Sequence, residues 1–156
     1  MNVVILGGTL PYPANAGNRV RTLNLTLRLA RRHRITYLHH AGDAEETRCA
    51  IAFLRDHGIA THEVPYAVPP KSGPSFYARL AANLVSPLPY SVATHSGSAV
   101  RRAVAAFAAA HQVDLWQAEG AHYFDAMCGL DGARVVLMAS RNVSRTCSGR
   151  SGSTSR

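Results

Sequence analysis

Two short stretches of this chain hold residue types whose spacing can do chemistry. The first is Asn15-Ala16-Gly17-Asn18-Arg19, at the mouth of a helix-like run. The first amides of a helix have no intrahelical partner, and the helix dipole puts partial positive charge there. Such a terminus can hold an anion or a sugar hydroxyl. The same residues also suit plain capping, with Asn18 as N-cap and Gly17 as a turn residue. The second stretch is Glu119 and His122, just past a strand-like run. An imidazole beside a carboxylate can act as a base or bind a sugar hydroxyl. Tyr12, Tyr90 and Trp116 offer stacking surfaces for a sugar. Tyr12 lies in the ligand-side loop and is the better contact, whereas Trp116 sits inside a short strand and reads as core.

Alternating strands and helices must position these groups. Val3-Val4-Ile5-Leu6 reads as a strand, followed by a loop rich in small and turn-forming residues from Gly7 to Arg19. A helix over Asn18 to Arg32 follows, with Val20, Leu23, Leu27 and Ala30 on one stripe. Arg34 to His39 reads as strand two. Asp43 with Glu46 resembles a capping box for helix two, which Gly58 closes. Ile59 to Val64 is strand three. A proline-rich loop leads to a short helix from Pro74 to about Leu84. Ser86 to Tyr90 interrupts, and a longer helix follows from Gly97 to Gln112, its inner stripe Val100, Ala103, Val104 and Phe107. Val113 to Gln117 is a strand, His122 to Cys128 a small helix and Ala133 to Met138 a fifth strand. This alternation predicts an α/β fold with a parallel sheet and helices on both faces. In such sheets ligands bind beyond the carboxyl ends of the strands, where the opening loop lies.

Composition narrows the classes. At 156 residues and 47% apolar, the chain fits one domain, or one half of a two-domain protein. Its net charge of +8 suggests anionic partners, or arginines that simply solvate the surface. Arg141, Arg145, Arg150 and Arg156 supply about half of that excess. We divide the chain into a domain over residues 1–139 and a Ser/Arg-rich tail over 140–156 that is expected to be disordered. The tail reads better as a segment without selected structure than as an arm for nucleic acid, so no nucleic-acid partner is expected. Three dispersed cysteines form neither a disulfide framework nor a zinc site and suit a reducing cytosol. No secretory signal or membrane span is expected. The apolar segment Phe76 to Leu88 can rest on a membrane surface or form an ordinary buried helix.

The familiar nucleotide motifs fail. Gly7-Gly8-Thr9 follows a strand, but Leu10-Pro11-Tyr12-Pro13 comes next and no third glycine completes a dinucleotide fingerprint. No Gly-Lys-Ser/Thr exists, and Lys71 is the only lysine, so a P-loop is absent. The histidines give no metal site: His39 and His40 are strand neighbours and point to opposite faces. His33, His57 and His111 lie near helix ends, where an imidazole can complement terminal carbonyls. Asp125 can cap a helix or contact ligand.

The opening is similar to a known family. A strand, then Leu10-Pro11-Tyr12-Pro13, Ala16-Gly17-Asn18-Arg19, Arg21-Thr22-Leu23-Asn24-Leu25 and Leu29-Ala30-Arg31-Arg32-His33-Arg34-Ile35-Thr36 resembles the amino-terminal domain of glycosyltransferase family 4. That family opens with a strand, a "P-Y-P-P-x-x-G-G-x-x-R" loop, a leucine-rich helix and "L-A-x-x-H-x-V-T". The resemblance is dense over residues 1–40 and one of layout beyond. Asp114-Leu115-Trp116-Gln117-Ala118-Glu119-Gly120 resembles the family's "D-V-V-H-V-E-G" strand, and Arg134 to Ala139 the strand before "H-N-V-E".

The resemblance implies the acceptor-side, Rossmann-like half of a GT-B enzyme, which moves a sugar from a nucleotide-sugar donor to a glycan or lipid-linked acceptor. Transfer in that family is usually retaining, without metal, and no cofactor is expected. Gly17, Asn18, Arg19 and Tyr12 would contact donor or acceptor, and Glu119 and His122 would face the acceptor as catalytic candidates. Where the family reads "H-N-V-E", this chain reads Ser140-Arg141-Asn142-Val143-Ser144, and the donor lobe with its paired glutamates does not appear. The chain by itself is therefore expected to be inactive or nearly so. A cytoplasmic protein, in peripheral contact with the inner membrane face, would follow. Two rivals are a nucleotide-dependent oxidoreductase or epimerase, suggested by Val4-Ile5-Leu6-Gly7-Gly8-Thr9, and a non-catalytic basic binding module.

Overall fold

The structure, a computed structural model, describes residues 1–66, 68–86, 89–127, 129–130, 132–138 and 146–147. Five parallel strands form its centre: β1 (Asn2–Leu6), β2 (Arg34–His40), β3 (Ile59–Val64), β4 (Leu115–Glu119) and β5 (Val135–Met138). The order is β3-β2-β1-β4-β5, a Rossmann-like α/β arrangement with the parallel sheet that the alternating pattern predicts. A two-residue strand, β6 (Thr146–Cys147), pairs antiparallel with β5. The expectation of a disordered tail otherwise falls on residues outside those described.

Two-residue alternation divides the core into two layers. Val3, Ile5, Ile35, Tyr37 and Ile59 face one side, against α1 (Gly17–Ala30) and α2 (Ala44–Asp56) through Leu23, Ala50 and Leu54. Val4, Leu6, Leu38, Val64, Trp116 and Ala118 face the other side. There they meet Val100, Val104 and Phe107 of α5 (Ser98–Ala110), and Tyr123 of α6 (Ala121–Phe124). Trp116 is 1% exposed and packs edge-on to Phe107, a core residue as expected.

Helix α1 turns differently from its predicted stripe. Thr22, Leu23 and Thr26 are buried, Leu27 and Ala30 are half-buried, and Val20 is 41% exposed. Threonines can be buried here because their hydroxyls are satisfied. Thr26 Oγ1 donates to the Thr22 carbonyl at 2.8 Å, and Thr22 Oγ1 donates to Glu119.

Helix boundaries follow local chemistry. Asp43 caps α2 by accepting from the Glu45 and Glu46 amides at 3.0 Å each. Those two hydrogen bonds hold its carboxyl below the usual range. The Glu46 side chain, expected to bond back to the cap, instead pairs with Arg19. Gly58 closes α2 at φ +73°, the left-handed conformation that suits glycine. Pro74 opens α3 (Pro74–Asn83) in its first turn, as predicted. The short α4 (Tyr90–His95) lies outside the elements that the pattern predicts. It starts directly after Pro89, inside the segment read as an interruption, and six residues are too few for a periodic stripe to show. His57 Nδ1 and His111 Nδ1 each lie within hydrogen-bond distance of the carbonyl four residues earlier, at 2.8 and 3.0 Å, as their helix-end positions suggest. His33 does not follow them: its Nδ1 is buried without a partner.

Candidate functional site

The strand order reverses direction between β1 and β4, because β2 follows β1 on one side and β4 lies on the other. Loops leaving the carboxyl ends of two such strands diverge and open a crevice. A cleft of about 170 Å³ lies there, and its lining includes Asn18, Arg19, Arg21, Thr22, Glu119 and His122. A smaller cavity of about 80 Å³ adjoins it and shares Gly8, Thr9 and Arg19.

Capping does not explain the α1 terminus. The N-cap is Ala16, whose methyl group accepts no hydrogen bond, and Asn18 sits inside the first turn instead of capping it. Val20 N bonds to the Ala16 carbonyl at 2.9 Å, so the amides of Gly17, Asn18 and Arg19 precede the helical hydrogen-bond ladder. Nothing lies within 4 Å of where a Gly17 Cβ would stand, and Gly17 is outside the lining of the cleft. Arg19 reaches the cleft, but its Nη1 is anchored. It donates to Glu46 Oε1 at 2.7 Å, to Asn15 Oδ1 at 3.3 Å and to the Pro13 carbonyl at 3.4 Å. Arg19 thus ties the loop to α2 as well as facing the site.

Tyr12 is placed differently from the expected open stacking platform. Its ring stacks on Phe53 with centroids 4.1 Å apart and planes at 7°, so one face is spent on core packing. It lines the smaller cavity, and its peptide bond to Pro13 is cis.

Across the cleft, Glu119 is held from two sides. Thr22 Oγ1 donates to its Oε2 at 2.9 Å, and Gln117 Nε2 donates to its Oε1 at 2.6 Å. Gly120 then turns the chain at φ +111° and lets the His122 ring fold back; a Cβ there would stand 2.8 Å from His122 Cε1. The His122 ring packs against His95 and Tyr123, at centroid distances of 4.5 and 4.3 Å. Glu119 and His122 therefore face one cleft while each leans on different neighbours. Burial first, then His95 and Lys71, push the His122 pKa down to about 4. An imidazole so acidic is a poor general base near neutral pH, where the best base has a pKa near the working pH. It remains a neutral ring that can exchange a hydrogen bond with a hydroxyl. Asp125 pairs with Arg101, a structural use of the residue left open between cap and ligand contact.

Two residues at this edge, Tyr37 and His40, are not among the site residues that the sequence singles out. Tyr37 is buried under the loop, donates to the Thr9 carbonyl at 3.3 Å, and has its phenol pKa raised by burial. His40 contacts Tyr66 and Tyr123 edge-on or tilted, and both its ring nitrogens are buried without a partner. Burial, then His95, His39 and His122, push its pKa down to about 4. A residue at a strand end gives no hint in sequence of which helix will cover it. Among the described residues no group of three or more His, Cys, Asp or Glu is arranged to hold a metal ion. Nor is any helix there long and apolar enough to cross a membrane. No protein-family model, curated protein or solved structure matches this chain.

Proposed function

We propose that this chain is the acceptor-side domain of a GT-B glycosyltransferase of the family 4 type. The reaction moves a sugar from a nucleotide-sugar donor to a glycan or lipid-linked acceptor. One observation carries the reading: Asn18 and Arg19 of the uncapped start of α1 and the pair Glu119 and His122 front the same cleft at the β1/β4 switch point. In this reading the amides of Gly17, Asn18 and Arg19 meet the donor's diphosphate, because exposed amides at a helix start favour an anion. Glu119, fixed by Thr22 and Gln117, accepts a hydrogen bond from an acceptor hydroxyl, and neutral His122 positions a second one. Gly17 stands beside the cleft, and the open space around it leaves the approach to the helix start unobstructed.

The domain supplies one wall. Holding donor and acceptor in attack geometry is worth roughly 7–11 kcal/mol, so a facing donor-binding lobe is needed for fast transfer. We therefore expect the acceptor-side domain by itself to turn over nucleotide sugars slowly or not at all.

Backbone-amide NMR of the labelled chain tests the assignment. Inorganic pyrophosphate should shift the signals of Gly17, Asn18 and Arg19, and Gly17→Trp should abolish the response. A short oligosaccharide should instead shift residues around Glu119 and His122. Pyrophosphate responses elsewhere, or an unchanged response in Gly17→Trp, would remove the α1 terminus from the site. Saturable binding of a nicotinamide dinucleotide at Gly7 and Gly8 would favour the oxidoreductase rival.

A further inference from the structure

At the amino ends of the strands, on the edge opposite the crevice, a groove of about 430 Å³ runs between the sheet and the end of α5. That volume falls within the range, roughly 300–1,000 Å³, of small-molecule sites. Side-chain alternation sets the sheet wall. Val4 and Leu38 belong to the core layer under α5, so Arg34 and Thr36, which share a face of β2 with Leu38, look toward α5 as well. Ala110 and His111 at the end of the helix, with Val113 after it, line the other wall.

Three polar groups of the groove are open to a ligand. Arg34 is exposed and Thr36 half-buried, and among the described residues neither side chain makes a hydrogen bond or an ion pair. The third is Nε2 of His111. This residue is exposed, yet its ring is fixed. It stacks on Phe107 with centroids 4.1 Å apart and planes at 12°, and its Nδ1 lies 3.0 Å from the Phe107 carbonyl. A carbonyl only accepts, so the proton of the neutral ring sits on Nδ1 and Nε2 carries a lone pair. The groove thus has a cation and a hydroxyl on one wall and an oriented acceptor on the other, with Val4, Ala110 and Val113 as apolar surface between them. Asp114, the nearest acid along the chain, is outside the lining, and its carboxylate accepts from Asn2 N at 2.7 Å.

We propose that this groove binds a small hydroxylated ring acid, its carboxylate accepting from Arg34 and Thr36 and its hydroxyl donating to His111 Nε2. The planar fork of a guanidinium matches a carboxylate and makes the stronger, charge-assisted bonds. The two polar ends of the site stand on different elements, a strand and a helix end. A rigid ring that holds acid and hydroxyl apart therefore loses less rotor freedom on binding than a flexible chain. The site is separate from the crevice at the carboxyl edge and does not depend on what binds there.

Backbone-amide NMR titration of the whole labelled chain at about pH 8, with 4-hydroxybenzoate and with benzoate, tests this. 4-Hydroxybenzoate should bind saturably, shift the signals of Val4, Thr36 and Ala110, and bind at least threefold more tightly than benzoate. Arg34→Gln should weaken it at least tenfold. Arg32→Gln removes a neighbouring exposed arginine outside the lining and should change affinity less than twofold. His111→Phe keeps a ring on Phe107 and removes Nε2, so it should erase the preference for 4-hydroxybenzoate over benzoate. Far-UV circular dichroism checks that each variant is folded. No saturable binding, shifts confined to the crevice, or equal affinity for the two acids in the parent chain would overturn the proposal. So would equal losses in Arg34→Gln and Arg32→Gln, which would reduce the effect to surface charge, or an unchanged preference in His111→Phe.

Discussion

Replacing Gly8 by alanine should expose how tightly the β1 loop is packed. An added Cβ would lie 2.2 Å from Tyr123 Oη, 3.3 Å from Tyr123 Cζ and 3.6 Å from His40 Cδ2. The first distance is impossible, the second tight and the third ordinary contact. Tyr123 is only 2% exposed and belongs to the core layer under α5 and α6, so its ring has little room to withdraw. Overpacking of this kind costs about 1–3 kcal/mol. Tyr123→Phe removes the offending oxygen. Its hydrogen-bond contact, to His95 Nδ1, is long at 3.4 Å, so that change alone should cost no more than about 0.5–1.5 kcal/mol. In the Tyr123→Phe background the new methyl group meets only the ring carbon. The double variant should therefore be more stable than the sum of the single losses by about 1–2 kcal/mol. Urea unfolding followed by the fluorescence of the single, buried tryptophan, Trp116, gives all four stabilities. Additivity within about 0.5 kcal/mol, or a neutral Gly8→Ala, would show that Tyr123 does not press on the loop.

Two further outcomes follow from the same edge of the sheet. His40 and His122 are held near pKa 4, below their ordinary 6.5, so the unfolded chain binds more protons than the folded one between those values. Stability should be complete above about pH 6.5 and fall as pH drops toward 4; His40→Gln should flatten that slope, and an unchanged slope would acquit His40. Thr22→Val deletes one of the two donors to Glu119 and should cost about 1.5–3 kcal/mol. Thr22→Ser should restore most of it, and a serine variant as unstable as the valine one would mean that the methyl group, not the hydroxyl, matters.

Much of the fold is legible in the sequence because its signals are local. Val3 to Leu6 alternates between two buried faces, Gly58 and Pro74 mark helix ends through their backbone geometry, and Asp43 caps through its own side chain. The errors come where tertiary contacts outvote local pattern. The α1 stripe rotates toward Thr22 and Thr26 because Glu119, almost a hundred residues away, supplies a partner for a buried hydroxyl. The site is legible in part. Glu119, His122, Asn18 and Arg19 converge because strand ends and helix starts gather on one edge of a parallel sheet. The engagement of Tyr12 by Phe53, of Arg19 by Glu46 and of Asp125 by Arg101 is hidden, since each depends on a side chain from a distant segment.

The Thr22–Glu119–Gln117 chain joins a helix to a strand through polar groups in a mostly oily layer. Oily contacts tolerate sliding, but directional bonds do not, so this pin fixes the register of α1 against β4. The helix whose start faces the crevice is thereby a stationary jaw. Any movement that accompanies ligand entry must be taken up by the β1–α1 loop or by the short helices α4 and α6, and exchange of amide protons should be slow along α1 and fast in those segments.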